Sequence, residues 1–268
     1  MKIFITGSSG FIGFHLSKKL LSKGHYVCGF DSMNNYYDVK IKKNRFKILS
    51  KYKNFLFTKG NLENQKVLTN SISKFKPEII IHLAAQAGVR YSIEKPRVYL
   101  DSNITGTYNI IELAKKVKVK HLMIASSSSV YGANKKLPFK EIDKTETQLS
   151  IYAATKKSTE SIAHSYSNIW KVPITMLRFF TVYGPWGRPD MALFKFTKGI
   201  IQKKRIDIYN RGKMYRDFTY IDDIVDGISS LISKAPSLKQ FGKIKNDSLS
   251  PVAPFRILNI GNTKKIYL

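Results

Sequence analysis

The feature that most constrains the fold is a glycine-rich turn near the start of the chain. Gly7, Gly10 and Gly13 follow the apolar run Lys2–Thr6 and open the amphipathic stretch Phe11–Ser22. A strand that passes through such a turn into a helix can approach a pyrophosphate closely, because glycines lack side chains and the helix N-terminus offers unpaired amide groups. The spacing is G-x-x-G-x-x-G rather than the G-x-G-x-x-G of many dehydrogenases. The turn alone is therefore weak support for a dinucleotide site.

An acidic residue strengthens this interpretation. Asp31 follows the predicted strand Tyr26–Phe30, eighteen residues after Gly13. A carboxylate at this strand end hydrogen-bonds both ribose hydroxyls of NAD and repels the 2′-phosphate of NADP. The combination predicts NAD as the cofactor. The alternative is a glycine-rich turn with an aspartate that merely lies on the surface.

Short apolar runs alternate with helical stretches along the first 180 residues. Strands are predicted at Lys2–Thr6, Tyr26–Phe30, Phe55–Thr58, Ile79–Leu83, His121–Ser126 and Ile174–Phe179, and helices at Phe11–Ser22, around Ile104–Val117 and at about Ile151–Trp170. This alternation predicts an α/β fold in which a doubly wound parallel sheet, the Rossmann arrangement, occupies residues 1–180.

The alternation breaks after about Thr181. The remaining elements are predicted as helices near Leu193–Lys203 and Ile224–Ile232 and as strands near Asp207–Tyr209 and Arg256–Ile260. Residues 181–268 are predicted to form a smaller substrate-binding part.

The charge of the chain raises the question of a polyanionic partner. Its 268 residues include 46 Lys and Arg but 18 Asp and Glu, which gives a formal net charge of +28. Such an excess attracts nucleic acid and other anions. However, the lysines are scattered without a run of five or six, which favours a solvated basic surface over a nucleic-acid site. A non-catalytic protein that binds RNA or other polyanions stays as an alternative.

Several classes of protein are excluded by composition. Cys28 is the only cysteine, so a disulfide framework and a cysteine-based metal site are excluded, and no metal site is expected. No apolar run approaches the length of a membrane span. The segment from Met1 to Gly7 has the pattern of a strand rather than of a signal peptide. We expect a cytoplasmic location.

A tyrosine and a lysine supply the pattern of a catalytic pair. Tyr152 and Lys156 are four residues apart, so they share one face of the predicted helix. A lysine ammonium near a phenol lowers the phenol pKa and makes it a usable base. Four serines, Ser126–Ser129, lie at the carboxyl end of a predicted strand, which is the edge where α/β proteins bind ligands. A hydroxyl there can hydrogen-bond a reacting oxygen.

Together these segments resemble the extended short-chain dehydrogenase/reductase family. The resemblance is carried by Gly7–Gly13, by His82–Arg90, by the strand end at Ser127, and by Tyr152 with Lys156, and it extends over nearly all of the chain. More narrowly, Arg178–Ala192 and Arg216–Ile224 are similar to segments of the NAD-dependent nucleotide-sugar epimerases that act at C4 of UDP-glucuronate.

The resemblance implies a role for each site residue. Tyr152 is implied as the base for the sugar 4-hydroxyl, Lys156 as the holder of the cofactor ribose, and Ser127 as the partner of O4, although Ser128 or Ser129 could share that role. The implied substrate contacts are Thr181 and Arg188 for the uronate carboxylate, Arg216 for the uridine diphosphate, and Arg90 for phosphate or carboxylate.

The cofactor contacts implied by the resemblance form a longer set. They are Gly7, Gly10, Phe11, Ile12, Gly13, Asp31, Asn61, Leu62, Leu83, Ala84, Ala85, Asn103 and Ser126, together with Tyr152 and Lys156. Asn61 stands where the family usually has an aspartate that accepts from the adenine amine. The helices around Ile104–Val117 and Ile151–Trp170 are implied to form the seam of a homodimer.

Comparison with related families narrows the chemistry and leaves alternatives open. Ser128 and Ser129 stand where the 4,6-dehydratases and uronate decarboxylases carry an acidic residue, which favours simple epimerisation. An epimerase for UDP-glucose or another UDP-hexose is the closest rival to this interpretation.

Family members continue for several dozen residues past Asn259–Asn262, so the resemblance implies a C-terminally short chain with an incomplete substrate-binding part. His82, His121 and His164 are expected to be structural.

Overall fold

Seven parallel strands form the central sheet of the computed structural model, which describes residues 1–267. In chain order, the strands of the molecule are β1 (Lys2–Thr6), β2 (Tyr26–Asp31), β3 (Phe55–Lys59), β4 (Ile79–His82), β5 (His121–Ser127), β6 (Ile174–Phe179), β7 (Thr181–Tyr183), β8 (Tyr215–Arg216), β9 (Phe218–Tyr220), β10 (Phe255–Ile260) and β11 (Ile266–Tyr267). The order across the sheet is β10-β6-β5-β4-β1-β2-β3. The predicted doubly wound parallel sheet is confirmed.

Helices cover both faces of this sheet. They are α1 (Phe11–Ser22), α2 (Val39–Leu49), α3 (Gln65–Phe75), α4 (Tyr91–Glu94), α5 (Pro96–Tyr99), α6 (Gly106–Lys116), α7 (Ile151–Trp170), α8 (Ala192–Ile201) and α9 (Ile221–Leu231). A π-helical segment, Leu100–Thr105, runs directly into α6. Within residues 1–267, none of these helices is long and apolar enough to cross a membrane.

The alternation of side chains along β1 shows why the sheet is buried on both sides. Ile3 and Ile5 belong to one apolar core with residues of α1 and α9, whereas Phe4 belongs to the other core with residues of α3, α6 and α7. Both cores are buried, as expected for central strands that consist of nearly continuous apolar runs.

The edge that carries the site is set by the strand order. β1 pairs with β2 on one side and with β4 on the other, so the direction of winding reverses at β1. Ligands of doubly wound sheets bind outside the carboxyl ends of the strands at this reversal. Thr6, at the end of β1, is in register with Phe30 and His82. Residues that follow these strands therefore meet at one edge.

Two regions differ from the sequence-based expectation. The strand predicted near Asp207–Tyr209 is wrong: Asp207 and Ile208 have no regular secondary structure, and a 3₁₀ turn, Tyr209–Gly212, begins at the third residue. Residues after 180 also contribute to the central sheet, because β10 pairs with β6.

Two fully buried histidines brace the sheet. His82 lies between Thr6 and Thr107, with ring-nitrogen-to-hydroxyl distances of 2.7 and 3.0 Å. His121 lies 2.8 Å from the Thr175 hydroxyl. Burial lowers the pKa of His82 to about 3 and that of His121 to about 4. Both rings therefore stay neutral in the folded protein at neutral pH.

We expect His82 to make the fold sensitive to acid. The unfolded chain binds a proton at His82 below a pKa of about 6.5 but the folded chain does not until about pH 3, so the free energy of unfolding falls with falling pH across this window. In His82→Gln, the slope between pH 6 and 4.5 should be smaller by about 1.4 kcal/mol per pH unit. Urea unfolding at several pH values measures it, with pH 8 as the reference. An unchanged slope would contradict this account.

Candidate functional site

The glycine turn packs tightly against the segment that leaves β4. Gly7 has a φ of +74°, and a Cβ added there would lie 2.9 Å from the Ala84 nitrogen. A Cβ added at Gly13 would lie 2.1 Å from the Gly7 carbonyl oxygen. The Gly10 amide donates to that same oxygen at 2.9 Å. Larger residues at Gly7 and Gly13 would therefore force the turn open.

The N-terminus of α1 points its free amide groups at this turn. Gly10 caps the helix without a side-chain hydrogen bond, and the first helical bond along the chain runs from Phe14 to Gly10 at 3.0 Å. The amides of Phe11, Ile12 and Gly13 therefore precede the helical hydrogen-bond ladder. Such amides, together with the helix dipole, suit a diphosphate.

The Asp31 carboxylate is held beside the turn by two backbone amides. It accepts from Ser9 at 3.0 Å and from Met33 at 2.8 Å. Burial raises its pKa, while these bonds and the nearby Lys42 and Arg45 lower it in part. Each oxygen keeps a lone pair for a hydroxyl donor. The turn, the helix end and Asp31 thus fit a dinucleotide with free ribose hydroxyls.

The remaining predicted cofactor residues line the neighbouring strand ends. Leu83 and Ala84 follow β4, where their amides donate to Thr6, and Ala85 comes next in the chain. Leu62 is buried after β3 and accepts from Asn109 at 3.0 Å, whereas Asn61 is exposed.

Asn103 is committed to the protein itself. Its side-chain amide donates to the Gln86 carbonyl and to the Thr155 hydroxyl, both at 3.1 Å, and its oxygen accepts from the Gln86 amide at 2.8 Å. Both amide hydrogens are used, so Asn103 braces the segment after β4 against α7.

Tyr152 and Lys156 face the end of β5 from the first turns of α7. Ser150 caps this helix by accepting from the Ala153 amide at 3.1 Å. The buried Lys156 ammonium donates to the Ala125 carbonyl at 2.8 Å, and burial lowers its pKa to about 8 although Glu160 raises it. Burial also raises the pKa of Tyr152, against the opposing effects of a hydrogen bond with Ser127 and the charge of Arg188.

Ser127 and Arg188 thus lie near Tyr152. Lys156 follows one helical turn later on α7 and is bonded to Ala125, two residues before Ser127 on β5. Among the four serines, Ser127 is the one whose hydroxyl interacts with the Tyr152 phenol. The Ser126 hydroxyl instead donates to Glu160 at 2.6 Å, and Ser128 begins a short 3₁₀ turn.

A buried ion pair holds α7 against the sheet. Arg178 on β6 donates to both carboxylate oxygens of Glu160, at 2.9 and 2.8 Å, and both side chains are almost fully buried. Glu160 lies one turn after Lys156 on α7. The ion pair and the Ser126 bond therefore set the position of α7 relative to β5 and β6.

The other predicted substrate residues occupy three separate places. Thr181 begins β7, and its amide donates to Asp217 at 3.1 Å. Arg90 is exposed just before α4. Arg216 is exposed on β8, where it donates to the Tyr215 carbonyl at 3.3 Å.

Comparison with known proteins identifies the family. The model of the NAD dependent epimerase/dehydratase family matches residues 3–244. The chain belongs to this family. Protein CapI of Staphylococcus aureus is 54% identical over 269 residues, which cover 100% of this chain and 80% of that protein. A probable UDP-glucuronate 4-epimerase of Rhizobium meliloti is 52% identical over 270 residues, and the match covers 100% of this chain and 79% of that protein.

A solved structure of the same epimerase/dehydratase family has the same architecture. The UDP-glucuronic acid 4-epimerase of Bacillus cereus, crystallised with UDP-glucuronic acid and NAD, superposes with a TM-score of 0.86 at 32% identity. The match covers 99% of this chain and 79% of that one.

Arg45 is a site residue of this family member that sequence reasoning missed. Fully buried on α2, it donates to the Ser9 carbonyl at 2.9 Å and to the Trp186 carbonyl at 2.5 Å. It therefore ties the cofactor turn to the backbone just before Arg188. No helix was placed over Val39–Leu49 from the sequence, so nothing indicated that Arg45 faces inward.

We expect loss of one partner of the Arg178–Glu160 pair to destabilise the packing of α7 strongly. Arg178→Met leaves an uncompensated buried carboxylate and should lower the free energy of unfolding by about 3–5 kcal/mol. The matched control is Arg97→Met, which removes an exposed ion pair with Asp101 and should leave stability unchanged. Urea unfolding compares the two variants. Equal losses of stability in the two variants would contradict this expectation. The double variant Arg178→Met with Glu160→Leu should be more stable than Arg178→Met alone, and no such gain would also contradict it.

Proposed function

We propose that the chain catalyses the NAD-dependent 4-epimerisation of a UDP-sugar, with UDP-glucuronate and UDP-galacturonate as the reacting pair. The observation that carries this proposal is the placement of Tyr152 beside Ser127 and Arg188 at the carboxyl edge of the sheet, with Lys156 bonded to Ala125 at the end of β5. The similarity to an epimerase crystallised with UDP-glucuronic acid and NAD supports it.

Tyr152 is the group that moves the proton. NAD, when bound, supplies the hydride acceptor and donor for C4 of the sugar. The Tyr152 phenolate takes the proton of the 4-hydroxyl and returns it when the C4 configuration has inverted. Burial raises the pKa of Tyr152, whereas the Ser127 hydrogen bond and the Arg188 charge lower it and reduce the cost of forming a phenolate. Ser127 is placed to hydrogen-bond O4 at the same time.

Lys156 is the buried cation one helical turn after Tyr152 on α7. Its pKa of about 8 leaves it mostly protonated at neutral pH. Its bond to the Ala125 carbonyl uses one of three ammonium hydrogens, so two stay for the cofactor ribose and for the surroundings of Tyr152.

Arg188 favours a uronate over a neutral hexose. Its guanidinium is mostly buried near Tyr152, where a charge-assisted bond to a carboxylate is strong. Thr181 completes the carboxylate contact in this proposal. Ser128 and Ser129 offer no carboxylate beyond C4, which favours epimerisation over elimination. An epimerase of UDP-glucose stays as the alternative.

The uridine diphosphate is assigned to the basic residues outside the catalytic cluster. Arg216 and Arg90 are the proposed diphosphate contacts, and residues 181–268 supply most of the substrate-binding part. The net charge of +28 suits attraction of a substrate with a diphosphate and a carboxylate. The cytoplasmic location stays a prediction. We further propose that the product serves as a precursor of surface polysaccharide.

We also propose that the chain forms a homodimer through α6 and α7. Tyr108 on α6 and Ile151, Ile169 and Trp170 on α7 expose apolar side chains. A two-fold interface of antiparallel helices would bury them from both copies.

Tyr152→Phe should abolish turnover while it leaves NAD binding intact. Loss of the general base lowers the rate by at least about a hundredfold, whereas the ring and Lys156 still line the cofactor site. A proton NMR time course of UDP-glucuronate with added NAD measures conversion to UDP-galacturonate, and calorimetry measures NAD affinity.

The matched control is Tyr26→Phe, which removes a phenol from the exposed amino end of β2 and should leave the rate unchanged. The proposal would be wrong if the unsubstituted chain converts no sugar, or if Tyr152→Phe keeps more than a tenth of its activity.

A further inference from the structure

Arg188 is held by a carboxylate of its own loop. Its Nε donates to Asp190 Oδ1 at 3.0 Å and its Nη2 donates to Asp190 Oδ2 at 2.5 Å. Both bonds use the Nε edge of the guanidinium. A planar guanidinium has a second edge, formed by Nη1 and the other Nη2 hydrogen, which neither bond to Asp190 uses and whose geometry suits a second carboxylate.

Asp190 is anchored in turn by a tyrosine from the cofactor side of the site. The Tyr36 hydroxyl donates to Asp190 Oδ2 at 3.1 Å, and the Arg188 guanidinium lies 5.9 Å from the centre of the Tyr36 ring. Tyr36 belongs to the loop that begins at Asp31. The three side chains therefore join the proposed ribose contact to the proposed carboxylate contact.

The surroundings leave the Tyr36 hydroxyl little freedom. A Cβ added at Gly88, whose φ is +103°, would lie 2.3 Å from the Tyr36 hydroxyl oxygen. The ring also packs against Tyr91, with 5.0 Å between the ring centroids. The immobile Tyr36 hydroxyl holds Asp190, and Asp190 in turn holds the Arg188 side chain in one rotamer. Arg188 therefore loses less conformational entropy when it binds a ligand.

The charge of this cluster also suits a second anion. Burial opposes ionisation of Asp190, but the Arg188 guanidinium outweighs that effect and lowers the Asp190 pKa. The pair is therefore ionised and neutral overall. Lys42 and Arg45, both buried on α2, add positive charge nearby, which Asp31 balances only in part. A substrate carboxylate on the free edge of Arg188 would complete the balance.

We propose that Asp190 and Tyr36 are positioning residues that present the free edge of Arg188 to the C5 carboxylate of the sugar, and that they thereby determine the preference for a uronate. This inference rests on the proposed function, because it assigns a purpose to the orientation of Arg188. It predicts an effect on the choice between sugars rather than on binding of the nucleotide.

The test measures the affinities of UDP-glucuronate and UDP-glucose by calorimetry on the NAD-loaded chain. All variants are made in a Tyr152→Phe background, so that the sugars do not interconvert during the titration. The quantity of interest is the ratio of the two dissociation constants. We expect Arg188→Gln to abolish the preference for the uronate. Tyr36→Phe and Asp190→Asn should each reduce it by about tenfold, as loss of a hydrogen bond to a charged group predicts.

Two controls separate positioning from a general structural role. Tyr91→Phe makes the same chemical change one ring away and should leave the ratio unaltered. The affinity for UDP-glucose should stay within about twofold in every variant, because only the carboxylate contact is changed.

The outcomes distinguish this inference from the function on which it rests. If the reference chain prefers the uronate through Arg188 but Tyr36→Phe and Asp190→Asn keep that preference, the positioning role is wrong and the proposed function stands. If either variant strengthens the preference, Asp190 competes with the substrate and the inference is overturned. An equal loss for both sugars also overturns it. If the reference chain shows no preference, both proposals fail.

Discussion

The site depends on one close contact between two backbone segments. Where β1 ends, Gly7 lies so near Ala84 that a single added carbon would meet the Ala84 nitrogen at 2.9 Å. This approach brings the glycine turn, the N-terminus of α1 and the end of β4 to one edge. The amides of α1 then point outward and Asp31 lies beside them. A larger residue at Gly7 would separate the strands whose ends carry the candidate cofactor site.

A second constraint places Tyr152 and Lys156, the proposed catalytic pair, on that edge. The Glu160–Arg178 pair joins α7 to β6 inside the core. Both side chains are almost fully buried, so the two parallel hydrogen bonds between them are shielded from water and directional. Because Glu160 follows Lys156 by one helical turn, the same contact that anchors the helix aims Lys156 at the Ala125 carbonyl. The buried charges of this region thus have two effects: they orient the helix, and they shift the pKa values of Tyr152 and Lys156.

Much of the fold, and the placement of Tyr152 and Lys156 on one helix, could be predicted from the sequence because the signals are local. The glycine turn, the strands β1 to β6 and the helix Ile151–Trp170 are each encoded by consecutive residues. Tyr152 and Lys156 are recognisable because they are one turn apart. The contacts around Arg188 were not predictable in this way. Tyr36 meets Asp190 across 154 positions, and Arg45 meets Trp186 across 141. No periodicity links such residues, so only the folded chain shows them together.

The same reasoning explains the error near Asp207–Tyr209. Its apolar and aromatic residues are typical of a strand, but a strand also needs a neighbouring strand, and none of the sheets formed by residues 1–267 includes this segment, which leads into a 3₁₀ turn instead. Conversely, β10 was predicted as an element but not as a member of the main sheet, because pairing with β6 depends on the tertiary fold.

The central claim is reversible oxidation and reduction at C4 of the sugar, and isotope retention tests it most directly. UDP-glucuronate labelled with deuterium at C4 is incubated with the NAD-loaded chain in ordinary water, and deuterium NMR and mass spectrometry follow the product. The account predicts UDP-galacturonate with the deuterium still on C4, because the hydrogen removed from that carbon returns to it without exchange with water. Product that has lost the label to solvent would contradict the account, as would a failure to form any product.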